Sequence, residues 1–450
     1  MFDRGMDESA NYLGFCTCWG SPISCAEGSH LPLDEIGGRG TRRDILAFDD
    51  QMRVIPALLT EVRDVGAHSV VNIRLASGRR LEAGSEQQVR TLNEWVPLEK
   101  LMPGARIAVA RYLPEQAQPI LMVDAELILL AHMIGDGSCV RRQPIRYASI
   151  DEDNLTAVTL AAKHFGIEAV RDEYAAARCI TLRLRAPYRL THGKRNPVAS
   201  WLDELGLFGL RSYEKFVPTP VFMSSNSQIG LFLHHLWSTD GSVRWDAKGR
   251  QGRIYYASTS RQFIDDVANL LLRLEVHTRI KRAAKSGYRD CWHLTIDGVE
   301  NQRRFLTLVG VHGARGVRGQ EVLRELESVL PNTNADTVPK EVWNTVRELL
   351  SKTGMSHRAF AAALNTKFCG STMWKHSPSR SRLARIAALL GDRGLEALAT
   401  SHVYWDQVVE VSEVSPGRLM ALQIIGAEGC FVHGIAVRAL PPETNSPGRR

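Results

Sequence analysis

The chain is poor in what would mark a secreted, membrane-bound or fibrous protein. Its eight cysteines, at 16, 18, 25, 139, 179, 291, 369 and 430, are spread over 450 residues, too thinly for a disulfide framework, so free thiols are expected. No long apolar run exists. The stretch from Leu127 to Ile134 falls far short of the ~20 residues a membrane-spanning helix needs, and Met1-Phe2-Asp3-Arg4 opens no apolar signal region. A cytoplasmic location without membrane contact is therefore expected. With 44% hydrophobic and 23% charged residues, disorder is excluded and two or three globular domains are anticipated.

Positive charge is modest overall and uneven in placement. Between Lys340 and Arg393 stand ten Lys or Arg against three acids, a local surplus equal to the whole formal charge of +7. A cationic stretch of this kind is either a solvated face or the footprint of a nucleic-acid contact.

The middle of the chain repeats itself. Ile145-Arg146-Tyr147-Ala148-Ser149 matches Ile254-Tyr255-Tyr256-Ala257-Ser258. Each copy runs into a helical stretch, Leu155 to His164 and Phe263 to Arg273, then into a short β-type exit. Ahead of the copies lie Leu129-Leu130-Ala131-His132-Met133-Ile134-Gly135-Asp136-Gly137 and Leu233-His234-His235-Leu236-Trp237-Ser238-Thr239-Asp240-Gly241. Both end in Asp-Gly after apolar residues at helical spacing, with Asp124 and Asn226 or Ser227 as candidate caps and the glycines as stops. This predicts helix, strands, helix, strands, twice. Ala131 and Gly135, four apart, would admit a neighbouring helix closely; His235 and Thr239 fit that role less well.

These two nine-residue segments resemble the paired motifs of LAGLIDADG homing endonucleases, and the wider chain is similar to the large inteins of bacterial replicative helicases. The resemblance implies an α+β, multidomain fold: an all-β Hint-like splicing fold interrupted by a pseudo-two-fold αββαββ endonuclease domain and a helical helix-turn-helix domain. The expected bounds are a tail 1–15, the splicing fold at 16–118 and 402–440, the nuclease at 119–335 with halves 124–200 and 226–315, the helical domain at 336–401 and a tail 441–450.

Phosphodiester hydrolysis needs an activated water and a stabilised phosphorus and leaving oxygen, which carboxylate-held Mg²⁺ or Mn²⁺ supplies. The resemblance implies Asp136 and Asp240 as the metal-holding, catalytic carboxylates. It also implies Lys215, in Lys215-Phe216-Val217-Pro218, as an active-site cation; a solvated lysine is the plain alternative. Apolar and polar residues alternate through Ile180 to Arg185, putting Thr181, Arg183 and Arg185 on one strand face. Arg279, Lys281, Arg289, His293 and Thr295 form a similar cationic set in the second half. Such faces suit a DNA groove, and a solvated sheet face is the rival reading. Ser356 can cap a helix to Leu364, a turn follows at Thr366 to Gly370, and Ser371-Thr372-Met373-Trp374-Lys375 is expected to begin a recognition helix carrying Ser371, Thr372 and Lys375. A further helix is expected from Arg380 to Leu390.

The flanks resemble a splicing domain without its chemistry. Cys16-Thr17-Cys18 looks like an intein start, with Cys16 as a degenerate splicing nucleophile, and the strands at Ser69 to Leu75, Trp95 to Leu98 and Val403 to Asp406 fit the splicing fold. Where a Thr-x-x-His should polarise the first amide, the chain reads Gly84-Ser85-Glu86-Gln87; where His-Asn should close it, Arg438-Ala439. Asn445-Ser446 lies too far on. Cys16, Cys18, Cys25 and His30 have no standard zinc spacing, and His234-His235 reads as packing. The expectation is a freestanding, splicing-inactive, site-specific double-strand endonuclease, monomeric, on a long imperfectly palindromic DNA site. The alternatives are a cleavage-silent DNA-binding regulator of the same fold and an intein with residual self-cleavage.

Overall fold

The computed structural model describes residues 15–38, 42–172, 179–191, 193–284, 286–332 and 334–440. The expected tails 1–15, save Phe15, and 441–450, together with Asn445-Ser446, lie outside the described residues. The chain separates into two compact units, one of Glu27–Ser29 and Pro114–Pro331, the other of Met1–Ala26, His30–Leu113 and Asn332–Arg450.

The central unit is built from one pattern used twice. Helix α1 (Asp124–Gly135) leads into β1 (Gly137–Ser138) and β2 (Arg146–Ser149), then α2 (Glu152–Ala162), β3 (Glu168–Asp172) and β4 (Ile180–Arg185). Helix α3 (Asn226–Trp237), β5 (Gly241–Asp246), β6 (Gln251–Ser258), α4 (Arg261–Arg273), β7 (Arg279–Ala283) and β8 (Cys291–Ile296) repeat it, and α5 (Ala314–Glu327) follows. The two four-stranded antiparallel sheets share one order, β1-β2-β4-β3 and β5-β6-β8-β7.

Helix starts follow side-chain chemistry, with one correction. Ser225, and neither Asn226 nor Ser227, caps α3 by accepting from the Gln228 N–H; Asp124 is already inside α1, whose cap position is Val123 with no side-chain bond. Asp151 and Ser260 cap α2 and α4. From Leu127 to Ile134 every α1 residue but Ile128 is buried, the mark of a helix enclosed on all sides. It packs on Ile229, Phe232, Leu233 and Leu236 of α3 in one continuous core. Gly135 is required at this crossing: a Cβ there would lie 2.2 Å from Thr239 Oγ1.

The outer unit carries a twelve-stranded sheet dominated by two long strands, Val54–Leu75 and Val403–Ile425. They pair antiparallel with register shifts between Val408 and Glu410, Val414 and Gly417, Leu419 and Met420, and Gln423 and Ile424, and such bulges bend a strand and increase its twist. The strand Cys16–Cys18 joins them, Cys16 facing Ala421.

Four helices, α6 (Val342–Thr353), α7 (His357–Ala363), α8 (Arg380–Leu390) and α9 (Arg393–Thr400), belong to this same unit. The segment anticipated as a separate helical domain is thus tied to the sheet. Asp336 binds Arg380 at 2.8 Å and Arg111 at 2.7 Å, and Arg106 donates to Thr337 and Ser377. The expected recognition helix does not form: Gly370–Trp374 is a single 3₁₀ turn. Gly370 sits at φ +62 and Pro378 disfavours helix in the residue before it, so the segment is bounded on both sides. Trp374 anchors the turn against Trp343, His357 and Phe360, while Ser371, Thr372 and Lys375 are exposed.

Candidate active site at the paired helix ends

Each Asp-Gly closes a helix and opens a strand. The Asp136 N–H bonds the His132 carbonyl at 3.0 Å as the last link of α1. Asp240 ends a turn in which Ser238 and Thr239 return their hydroxyls to the His235 and Leu236 carbonyls, each at 2.6 Å. The next glycines, Gly137 and Gly241, stand opposite Tyr147 and Tyr256 in their sheets. These tyrosines are the matched residues of the repeat, and both are buried.

Because α1 and α3 meet side by side, the two carboxylates feel each other. Burial, reinforced by the Asp240 charge, raises Asp136 to about 6 against the moderating pull of Arg315 and Lys215. Asp240 is exposed at its open side, yet loss of water around its carboxylate still raises its pKa, with Lys215 and Arg315 opposing. Two like charges held with little water are costly unless a cation joins them. Among the described residues no set of three or more His, Cys, Asp or Glu gathers as a cage. Two carboxylates suit a hard ion that keeps water and phosphate oxygens in its other positions.

Lys215 lies at the site, close enough to act on both aspartates. It is buried, and its Nζ donates to the carbonyl oxygens of Ile134 (2.6 Å), Met133 (3.1 Å), Gly137 (3.2 Å) and Gly135 (3.4 Å). A cation on the orphan carbonyls of a helix C-terminus is favourable, so Lys215 fastens the end of α1 that bears Asp136. It is no solvated lysine.

Two further groups complete the surroundings without a signal in the motif pattern. Arg315, at the start of α5, donates to the Ser238 carbonyl and lowers both aspartates; nothing near it in sequence marks it. His132 lies inside the first motif, and its Nδ1 lies 2.9 Å from Tyr147 Oη while its Nε2 lies 3.1 Å from His235 Nδ1. The His312 ring is 4.3 Å from that of His235. Burial holds His132 down to about 3 and His235 to about 2, the neighbouring histidines adding to it. His132 and His235 pack at the helix crossing, with charging disfavoured by burial, and His234 beside them is bonded to the Val309 carbonyl at 2.8 Å.

The sheet residues fall into two sets. On β4, Leu182 and Leu184 are buried while Arg185 is exposed and Arg183 pairs with Asp172 at 2.5 Å; Thr181 is half-buried. In the second sheet Lys281 is opposite His293, and Arg279 opposite Thr295. His293 stacks on Tyr255, and Arg289 lies over the Tyr213 ring at 3.8 Å.

In the outer unit, Cys16 is completely buried and its thiol is pushed up to about 12 by burial, with Glu86 adding to it, the reverse of an activated nucleophile. Gln87, where a polarising histidine would stand, spends its Nε2 on the Gln88 and Arg438 carbonyls. All eight cysteines are free thiols. No described helix is long and apolar enough to cross a membrane.

Residues 227–310 match the LAGLIDADG-like domain family. The chain is 33% identical over 428 residues to the replicative DNA helicase DnaB of Synechocystis sp. strain PCC 6803, with 92% of this chain and 49% of that protein covered. It thus spans about half the length of that curated relative. Among solved structures, a DnaB intein from Synechocystis sp. PCC 6803 covers 21% of this chain and 70% of its own length at 24% identity and a TM-score of 0.21. The I-DmoI complex with DNA and Mn covers 41% and 96% at 14% identity and a TM-score of 0.29.

Proposed function

We propose that this chain is an intein-derived, site-specific double-strand DNA endonuclease whose splicing fold no longer splices. The observation that carries the reading is the juxtaposition of Asp136 and Asp240 at the ends of two helices packed so closely that Gly135 cannot bear a side chain against Thr239. The match of residues 227–310 to a LAGLIDADG-like domain supports it, as does the alignment of nearly the whole chain within a DNA-replication protein.

In this reading Asp136 and Asp240 hold Mg²⁺ or Mn²⁺, which when bound supplies an activated water and neutralises charge on the phosphate. The chain's own work is positional. Lys215 keeps the end of α1 in place, and the buried tyrosines brace the two Asp-Gly turns from the sheets. The outward residues Thr181, Arg183, Arg185, Arg279, Lys281, Arg289 and His293 would contact the DNA groove, arginine forks reading guanine edges and phosphates setting register. Ser371, Thr372 and Lys375, on the exposed 3₁₀ turn, would extend the contact. A single chain carries both halves, so it acts as a monomer on an imperfectly two-fold site.

The test is incubation of the purified chain with a randomised duplex DNA pool and Mg²⁺, followed by sequencing of bound and cut molecules. Cut ends converging on one long site and vanishing with chelator are expected. A bound motif without cut ends would replace this reading with that of a regulator.

A further inference from the structure

We propose that Arg315, and not Lys215, is the cation that meets the scissile phosphate, an assignment that rests on the nuclease reading above. The argument is a count of donors. Lys215 has three N–H bonds and faces four main-chain carbonyls within 3.4 Å. Turning its ammonium toward a phosphate would take from the buried end of α1 the cation that bonds its carbonyls.

Arg315 is half-buried at the first turn of α5. Its Nη1 donates to the Ser238 carbonyl, two residues before Asp240. That bond fixes the guanidinium beside the Asp240 turn and uses one of five N–H donors; among the described residues the remaining four have no recorded partner. The charge reaches the whole centre, since it acts on Asp136, Asp240, Tyr147 and Tyr256 alike. A guanidinium also matches a phosphate better than an ammonium does, because its planar fork can give two parallel hydrogen bonds to two oxygens.

In the hydrolysis, water adds its oxygen to phosphorus and one bridging P–O bond breaks. One proton goes to the leaving alkoxide, and the other stays on the new phosphomonoester or passes to solvent. Negative charge accumulates on the phosphoryl oxygens on the way, and fixed donors aimed there stabilise it more than they stabilise the starting diester.

The experiment compares wild type, Arg315→Ala, Arg315→Lys and Lys215→Met on the selected DNA site under single-turnover conditions with Mg²⁺, alongside DNA affinity and thermal unfolding of each. Arg315→Ala is expected to cut about 100-fold more slowly, with affinity and unfolding changed far less. Arg315→Lys should recover part of the rate, and guanidinium ion added to Arg315→Ala should recover more. Lys215→Met should lose rate and thermal stability together, with no rescue. Arg315→Ala cutting at the wild-type rate, or losing rate only in step with its fold and without guanidinium rescue, overturns the assignment. A wild-type chain that cuts no DNA overturns the nuclease reading instead.

Discussion

The two units of this chain have comparable apolar cores and very different polar groups. In the outer unit the sheet core from Ile23 to Val437 is closed and apolar, and Cys16 sits at 0% exposure with its thiol pushed up to about 12. The central unit has a comparable core, yet it retains two carboxylates raised and mutually repelling at helix ends, with two cations close by. A fold rests on many apolar contacts that tolerate exchange, whereas an activity rests on a few polar groups that do not. In the proposed reading one unit has lost the few and kept the many, and the other has kept both.

The largest effect expected from breaking this contrast is on cutting. Asp136→Asn or Asp240→Asn should lower single-turnover cleavage by roughly three orders of magnitude or more while gel-shift affinity stays near wild type. Survival of cutting in either variant would remove the two-carboxylate mechanism. Next comes the fastening of α1: Lys215→Met should lower the unfolding free energy by about 2–3 kcal/mol in urea titration, since buried helix-end carbonyls lose a charged donor.

Acid should separate the units further. Asp136, raised to about 6 without metal, competes for a proton as pH falls, so the Mg²⁺ concentration needed for cleavage should rise as pH falls toward that value. His132 and His235 have folded pKa values depressed to about 3 and about 2. Their contribution to stability is full above the unfolded histidine value of ~6.5 and is lost as pH falls below it. The melting temperature of His235→Asn should therefore fall less than that of wild type between pH 7 and pH 5; an equal fall would show the pair to be irrelevant. The smallest effect belongs to the outer unit. Cys16→Ala should leave DNA cutting unchanged and cost about 1 kcal/mol for the small cavity, and mass spectrometry of wild type should find only the intact chain.

Much of the central unit is legible in sequence because its signals are local. The matched Tyr147 and Tyr256 segments, the two Asp-Gly endings and the alternation in β4 each follow from helical or two-residue periodicity within a short window. What periodicity does not carry is which polar group answers which. Lys215 reads, by resemblance, as an active-site cation or else as a solvated lysine until the chain brings it beneath α1, some eighty positions away, and Arg315 reads as one basic residue among many until α5 sets it against Ser238. The turn at Gly370–Trp374 reads as a helix start, although Gly370 and Pro378 bound it, and its Trp374 packs on Trp343, about thirty residues upstream.

The amino-acid sequence alone determined the duplicated frame, the two acidic helix ends and the residues Gly84 to Gln87 and Arg438-Ala439 that stand where the resembled splicing motifs would fall, since each is a matter of residue type at fixed spacing. Only tertiary structure decided that the helices cross at Gly135, that Lys215 spends its charge on main-chain carbonyls and that Arg315 stands beside both aspartates. The physical reason is that hydrogen-bond satisfaction and desolvation depend on distances of a few ångströms between residues far apart in the chain, and these exist only once the core has closed.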